Sequence, residues 1–108
     1  MSAADRRCAP RVEMNSDAVV YLGGEQIPCR TLNVAVGGMA LSSPVRRELG
    51  SAIRVDFLLP DEGWMSAGAT LVRDARYHGA FVWGVQFEGL DRQTELLLEE
   101  YVDQQLVV

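Results

Sequence analysis

Between residues 17 and 88 the apolar residues come in short runs, cut repeatedly by turn signals at Gly23-Gly24, Gly37-Gly38, Leu59-Pro60-Asp61-Glu62-Gly63 and Gly79. Punctuation at this spacing favours antiparallel strands over helices. Strands are expected over residues 18–22, 27–34, 39–42, 53–58, 64–76 and 80–88, with Cys29, Thr31 and Asn33 sharing one face of the second. Six short strands in about seventy residues would leave exposed edges unless the sheet closes on itself, so the economical solution is an all-β, six-stranded antiparallel barrel over residues 17–88.

The pattern changes after residue 90. Asp91 is a good N-cap, Leu90 precedes it as a staple residue, and residues 92–105 contain neither proline nor glycine. Leu97, Leu98, Tyr101 and Val102 recur at helical spacing, while Glu95, Glu99 and Asp103 fall on another face. A C-terminal helix over residues 91–105 is therefore expected to dock on the barrel through its apolar stripe, in preference to forming a coiled-coil seam.

Charge is unevenly distributed. Residues 1–11 carry three arginines against Asp5, whereas residues 12–108 carry seven arginines against fourteen acids, and the whole chain has a net charge of −5. Nonspecific binding of DNA or RNA rests on a broad basic surface that neutralises many phosphates. An acidic chain with one basic end argues against a nucleic-acid partner and leaves room for a small phosphorylated ligand.

Other classes find little support. No segment approaches the length of an apolar membrane span and the first residues lack an apolar signal core, so a cytoplasmic protein without membrane attachment is expected. Cys8 and Cys29 are expected to be reduced, and with the lone His78, in a Tyr77-His78-Gly79 turn, they make no zinc-ligand spacing. No nucleophile–base motif or phosphate loop of an enzyme is present. At 108 residues and 48% apolar content, one domain spanning residues 1–108 accommodates the chain.

Two short stretches carry the functional signal: Arg6-Arg7-Cys8-Ala9-Pro10-Arg11 and Asn33-Val34-Ala35-Val36-Gly37-Gly38. Arginine forks suit phosphate and stack on purines, asparagine reads a base edge, and glycines let backbone approach a ligand closely. In identity, order and spacing these stretches resemble the two motifs of the PilZ domain, a bacterial receptor module for cyclic di-GMP. Arg7 and Arg11 match R-x-x-x-R; Asn33 and Gly38 match [D/N]-x-S-x-x-G, with Ala35 where serine is expected. Leu59-Pro60, Gly84-Val85-Gln86-Phe87 and the terminal helix extend the resemblance over nearly the whole chain.

The resemblance implies a PilZ-type barrel with a flexible arginine-rich arm, residues 1–12, that orders over cyclic di-GMP and signals to an effector protein in motility, exopolysaccharide or pilus control. It implies ligand contacts at Arg6, Arg7, Arg11, Asn33, Ala35, Gly37 and Gly38, without metal, cofactor or catalysis. An arginine at position 6 goes with a stacked pair of ligand molecules per protomer. Ala35 opens a second reading, a protein-interaction adaptor of the same fold with weak or no ligand binding. Arg73 reads equally as an exposed strand residue or a phosphate ligand, and Trp83 as a packing residue in preference to one that stacks on guanine.

Overall fold

The computed structural model describes residues 10–107. It contains seven antiparallel strands, β1 (Val12–Glu13), β2 (Asp17–Leu22), β3 (Glu25–Ala35), β4 (Gly38–Ser43), β5 (Ala52–Leu59), β6 (Gly63–Tyr77) and β7 (Ala80–Phe87), followed by helix α1 (Arg92–Leu106). Six strands close a ring in the order β3-β2-β5-β6-β7-β4, with β4 pairing back onto β3, and β1 is an extra strand on β3. All six expected strands are present, with ends displaced by a few residues. β1 is the addition: Val12, assigned to the arm by sequence, is buried and pairs with Val34. The remainder of the expected arm, residues 1–9, lies outside the described residues.

Period-two alternation fills the barrel. On β5, Ile53, Val55, Phe57 and Leu59 point inward, and they meet Val20, Leu41, Leu71 and Trp83 from the other strands. Each such large side chain contributes about 1.5–3 kcal/mol through burial. The β2–β3 hairpin turns on Gly23 and Gly24, whose φ of 56° and 86° suit a two-residue turn that L side chains rarely adopt.

Two β-bulges break the alternation. Leu32 is an extra residue between Thr31↔Leu41 and Asn33↔Ala40, and Val72 is one between Leu71↔Val85 and Arg73↔Gly84. An inserted residue reverses the facing of everything beyond it. The shared face expected for Cys29, Thr31 and Asn33 is therefore corrected: Cys29 and Thr31 point into the barrel, while Asn33 is turned to the outside and Val34 takes the inward position. Arg73 is turned outward by the second bulge.

Opposite the first bulge, residues 14–16 interrupt the edge between β1 and β2, and the buried Thr31 hydroxyl fills the gap. Its Oγ1 donates to the Met14 carbonyl at 2.6 Å and accepts from the Ser16 amide at 2.7 Å. Two backbone groups that the ladder cannot pair are thereby satisfied.

Helix α1 starts where expected. Asp91 Oδ1 accepts from the Thr94 amide at 2.7 Å, and this bond holds its carboxyl below its ordinary range. Leu98 and Val102 are buried, Leu97 and Tyr101 are partly buried, and the helix contacts β1 and β3.

Candidate functional site

The bulges bring four residues into one row on the outer surface. Asn33 on β3 faces Ala40 on β4, Ala40 faces Gly84 on β7, and Gly84 faces Arg73 on β6. Three strand spacings place the two polar ends roughly 14 Å apart at the backbone. The two middle positions are the smallest residues available, so the row is a trough: walls at Asn33 and Arg73, floor at Ala40 and Gly84. Arg11, immediately ahead of β1, reinforces one wall, with Nη1 donating to Asn33 Oδ1 at 2.9 Å. The groove has a volume of about 470 Å³, and Val72 and Val82 complete its rim.

Of the site residues expected from sequence, Arg11 and Asn33 are brought together at this groove. Arg6 and Arg7 lie outside the described residues. Ala35, Gly37 and Gly38 are not among the groove's lining residues; they form the β3–β4 hairpin just beyond Asn33, where Ala35 pairs with Gly38. Ala35 is buried and Gly37 exposed. Gly38 has a packing reason to be glycine, because a Cβ there would stand 2.3 Å from the Val85 carbonyl oxygen. Its place in the motif is accounted for by the close approach of β4 to β7 at the hairpin.

Trp83 is fully buried beneath the groove, as packing requires, and its indole Nε1 has no hydrogen-bond partner among the described residues. The opposite residue on β6, Asp74, is turned inward and bonded to Arg46 Nε at 2.8 Å. Arg73, read from sequence as either an exposed strand residue or a phosphate ligand, is exposed and lines the far wall, whereas the floor pair Ala40 and Gly84 carries no sequence signal. They are separated widely in sequence and meet only through strand register.

Away from the groove, Cys29 is buried with its Sγ donating to the Ile27 carbonyl, and burial pushes the thiol up to about 11. Such a thiol is a poor nucleophile at neutral pH. His78 is exposed at the β6–β7 turn with a φ of 49°. Among the described residues no cluster of three His, Cys, Asp or Glu could hold a metal ion, and no helix is long and apolar enough to cross a membrane.

Solved structures share this architecture at low identity. The inhibitor of motility MotI/DgrA of Bacillus subtilis superposes with a TM-score of 0.81 at 18% identity, over 92% of this chain and 51% of that one. YcgR of Escherichia coli, in complex with cyclic di-GMP, gives 0.81 at 14% identity over 92% and 45% of the two chains. The isolated PilZ domain of YcgR with cyclic di-GMP gives 0.75 at 13% identity over 94% and 92%. The chain thus spans about half the length of the first two proteins and nearly all of the third. No curated protein matches it closely in sequence. The PilZ domain family model matches residues 5–104, and with a six-stranded barrel, one extra strand and a terminal helix to accompany that match, the chain belongs to the PilZ domain family.

Proposed function

We propose that this chain is a cyclic di-GMP receptor domain that works in the bacterial cytoplasm by binding rather than catalysis, and that passes the signal to a partner protein. The observation that carries the reading is the Arg11–Asn33 hydrogen bond at the wall of a groove floored by Ala40 and Gly84. A guanidinium and a base-reading amide beside a flat, small-residue surface suit a phosphorylated purine. The groove volume falls within the range of small-ligand sites. Family membership and the presence of cyclic di-GMP in two of the similar structures support the same ligand.

In this reading residues 1–108 act as one domain. Arg6 and Arg7 supply further guanidiniums from the segment ahead of β1, and Arg6 favours a stacked pair of ligand molecules. Ala35, Gly37 and Gly38 contribute from the hairpin beside Asn33. The effector is a protein of a motility, exopolysaccharide or pilus system.

A second reading, the interaction-only adaptor, is favoured by one feature, the buried alanine at position 35 where the motif has a hydroxyl. Calorimetric titration with cyclic di-GMP separates the two. Saturable heat near two ligands per protomer, lost in Arg11→Ala, is the result expected of a receptor. Silence of the unaltered protein at millimolar ligand sinks the receptor reading and leaves the adaptor.

A further inference from the structure

Arg73 stands apart from the other described arginines. Each of those leans on an acid, an amide or an aromatic ring: Arg11 on Asn33, Arg46 on Asp74, Arg47 on Glu25, and the rest likewise. Arg73 is exposed and has no hydrogen-bond, ion-pair or aromatic partner among the described residues. Its chain neighbour Asp74 does not neutralise it, because that carboxylate is turned to the barrel interior with its side chain 6% exposed and is engaged by Arg46.

The side chain is also aimed. The bulge at Val72 turns Arg73 to the outer face, and its stem runs over Gly84: a Cβ on Gly84 would meet Arg73 Cβ at 3.1 Å and Cγ and Cδ at 3.9 Å. Gly84 thus serves as a bed for the aliphatic part of Arg73 as well as a floor for the groove. Arg73 lines the trough across from Arg11 and Asn33, the two described motif residues that line it.

A guanidinium offers donors only, in a rigid fork. Among purines, guanine presents two adjacent acceptors, O6 and N7, whereas adenine presents one acceptor beside a donor. We propose that Arg73 is a specificity-determining residue of the groove, selecting a guanine base through its paired O6 and N7 acceptors while Arg11 and Asn33 hold the ligand from the opposite wall. The proposal rests on the groove being a cyclic di-GMP site and adds the residue that selects the base.

The test compares cyclic di-GMP with its 7-deazaguanine analogue, which lacks only the N7 acceptor, by calorimetry on the unaltered protein, Arg73→Lys and Arg11→Ala. Arg73→Lys keeps the positive charge but presents a point donor in place of a fork. The unaltered protein is expected to prefer cyclic di-GMP about tenfold, in the range a bidentate base contact supplies. In Arg73→Lys that preference falls below about threefold, with thermal stability unchanged. Arg11→Ala weakens both ligands together. A preference retained in Arg73→Lys, or absent from the unaltered protein, overturns the role of Arg73 while leaving the receptor reading intact. Absence of any binding by the unaltered protein overturns both.

Discussion

The Tyr101 hydroxyl on α1 donates to the Glu13 carbonyl oxygen on β1 at 3.2 Å. Glu13 is the cross-strand partner of Asn33, and β1 begins one residue after Arg11. One hydrogen bond therefore ties the terminal helix to the two-residue strand that positions the groove wall. Partial burial raises the Tyr101 hydroxyl above its ordinary range, so it remains a donor at any physiological pH.

Removing that hydroxyl should loosen β1 more than the barrel. Tyr101→Phe keeps the ring and is expected to cost about 0.5–1.5 kcal/mol. Faster hydrogen exchange of the Met14 amide, which donates to Leu32 O at 3.2 Å, should accompany it, with the β5–β6 ladder unaffected. Unchanged exchange at Met14 would show that Val12 burial, pairing with β3 and the Thr31–Met14 bond hold β1 without the tyrosine hydroxyl.

Thr31 carries a larger load. In Thr31→Val the shape is conserved but the Met14 carbonyl and Ser16 amide both lose their partner in a buried position. A loss of about 1–3 kcal/mol per stranded group is expected, measured as a shift of the urea midpoint. Thr31→Ser retains the hydroxyl and should recover most of it.

Position 35 tests the second motif directly. Ala35→Ser is expected to tighten cyclic di-GMP by up to about tenfold, the worth of one recovered hydrogen bond. The serine must serve the ligand from a position that is 5% exposed in the alanine form. Equal or weaker affinity on titration would mean that the hydroxyl is spent inside the hairpin.

The helix cap sets an acid limit. The Asp91 carboxyl is held below its ordinary range chiefly by the Thr94 amide, so its contribution is present above the unfolded value of about 4 and is lost as pH falls through the lower folded value. Asp91→Asn keeps an amide-bonding cap that does not titrate. Its helical circular dichroism should vary less between pH 5 and pH 2, on an order set by that range, than that of the unaltered protein. Identical acid profiles would place the acid sensitivity elsewhere.

The barrel was readable because Ile53, Val55 and Phe57 alternate strictly and glycine marks the turns; the helix was readable from Asp91 and its apolar spacing. The bulges were not recognised, although β3 does carry a trace of one. Its inward apolar positions change parity, from Ile27 and Cys29 to Val34, with exposed Leu32 as the extra residue. Extending one alternation through that break placed Asn33 on the wrong face. β1 was missed because two residues carry no period. The floor of the groove was beyond local reading, since Ala40 and Gly84 become neighbours only when β4 pairs with β7.

That floor also has an evolutionary meaning. Its depth depends on the absence of side-chain volume at two outward positions, neither of which contributes to the barrel core. A single-base change from glycine to valine at position 84 would fill the trough and displace Arg73 while leaving the inward residues Trp83 and Val85 in place. On the receptor reading proposed above, one nucleotide change at an outward position thus separates a groove with room for a ligand from one without, while the core side chains stay the same.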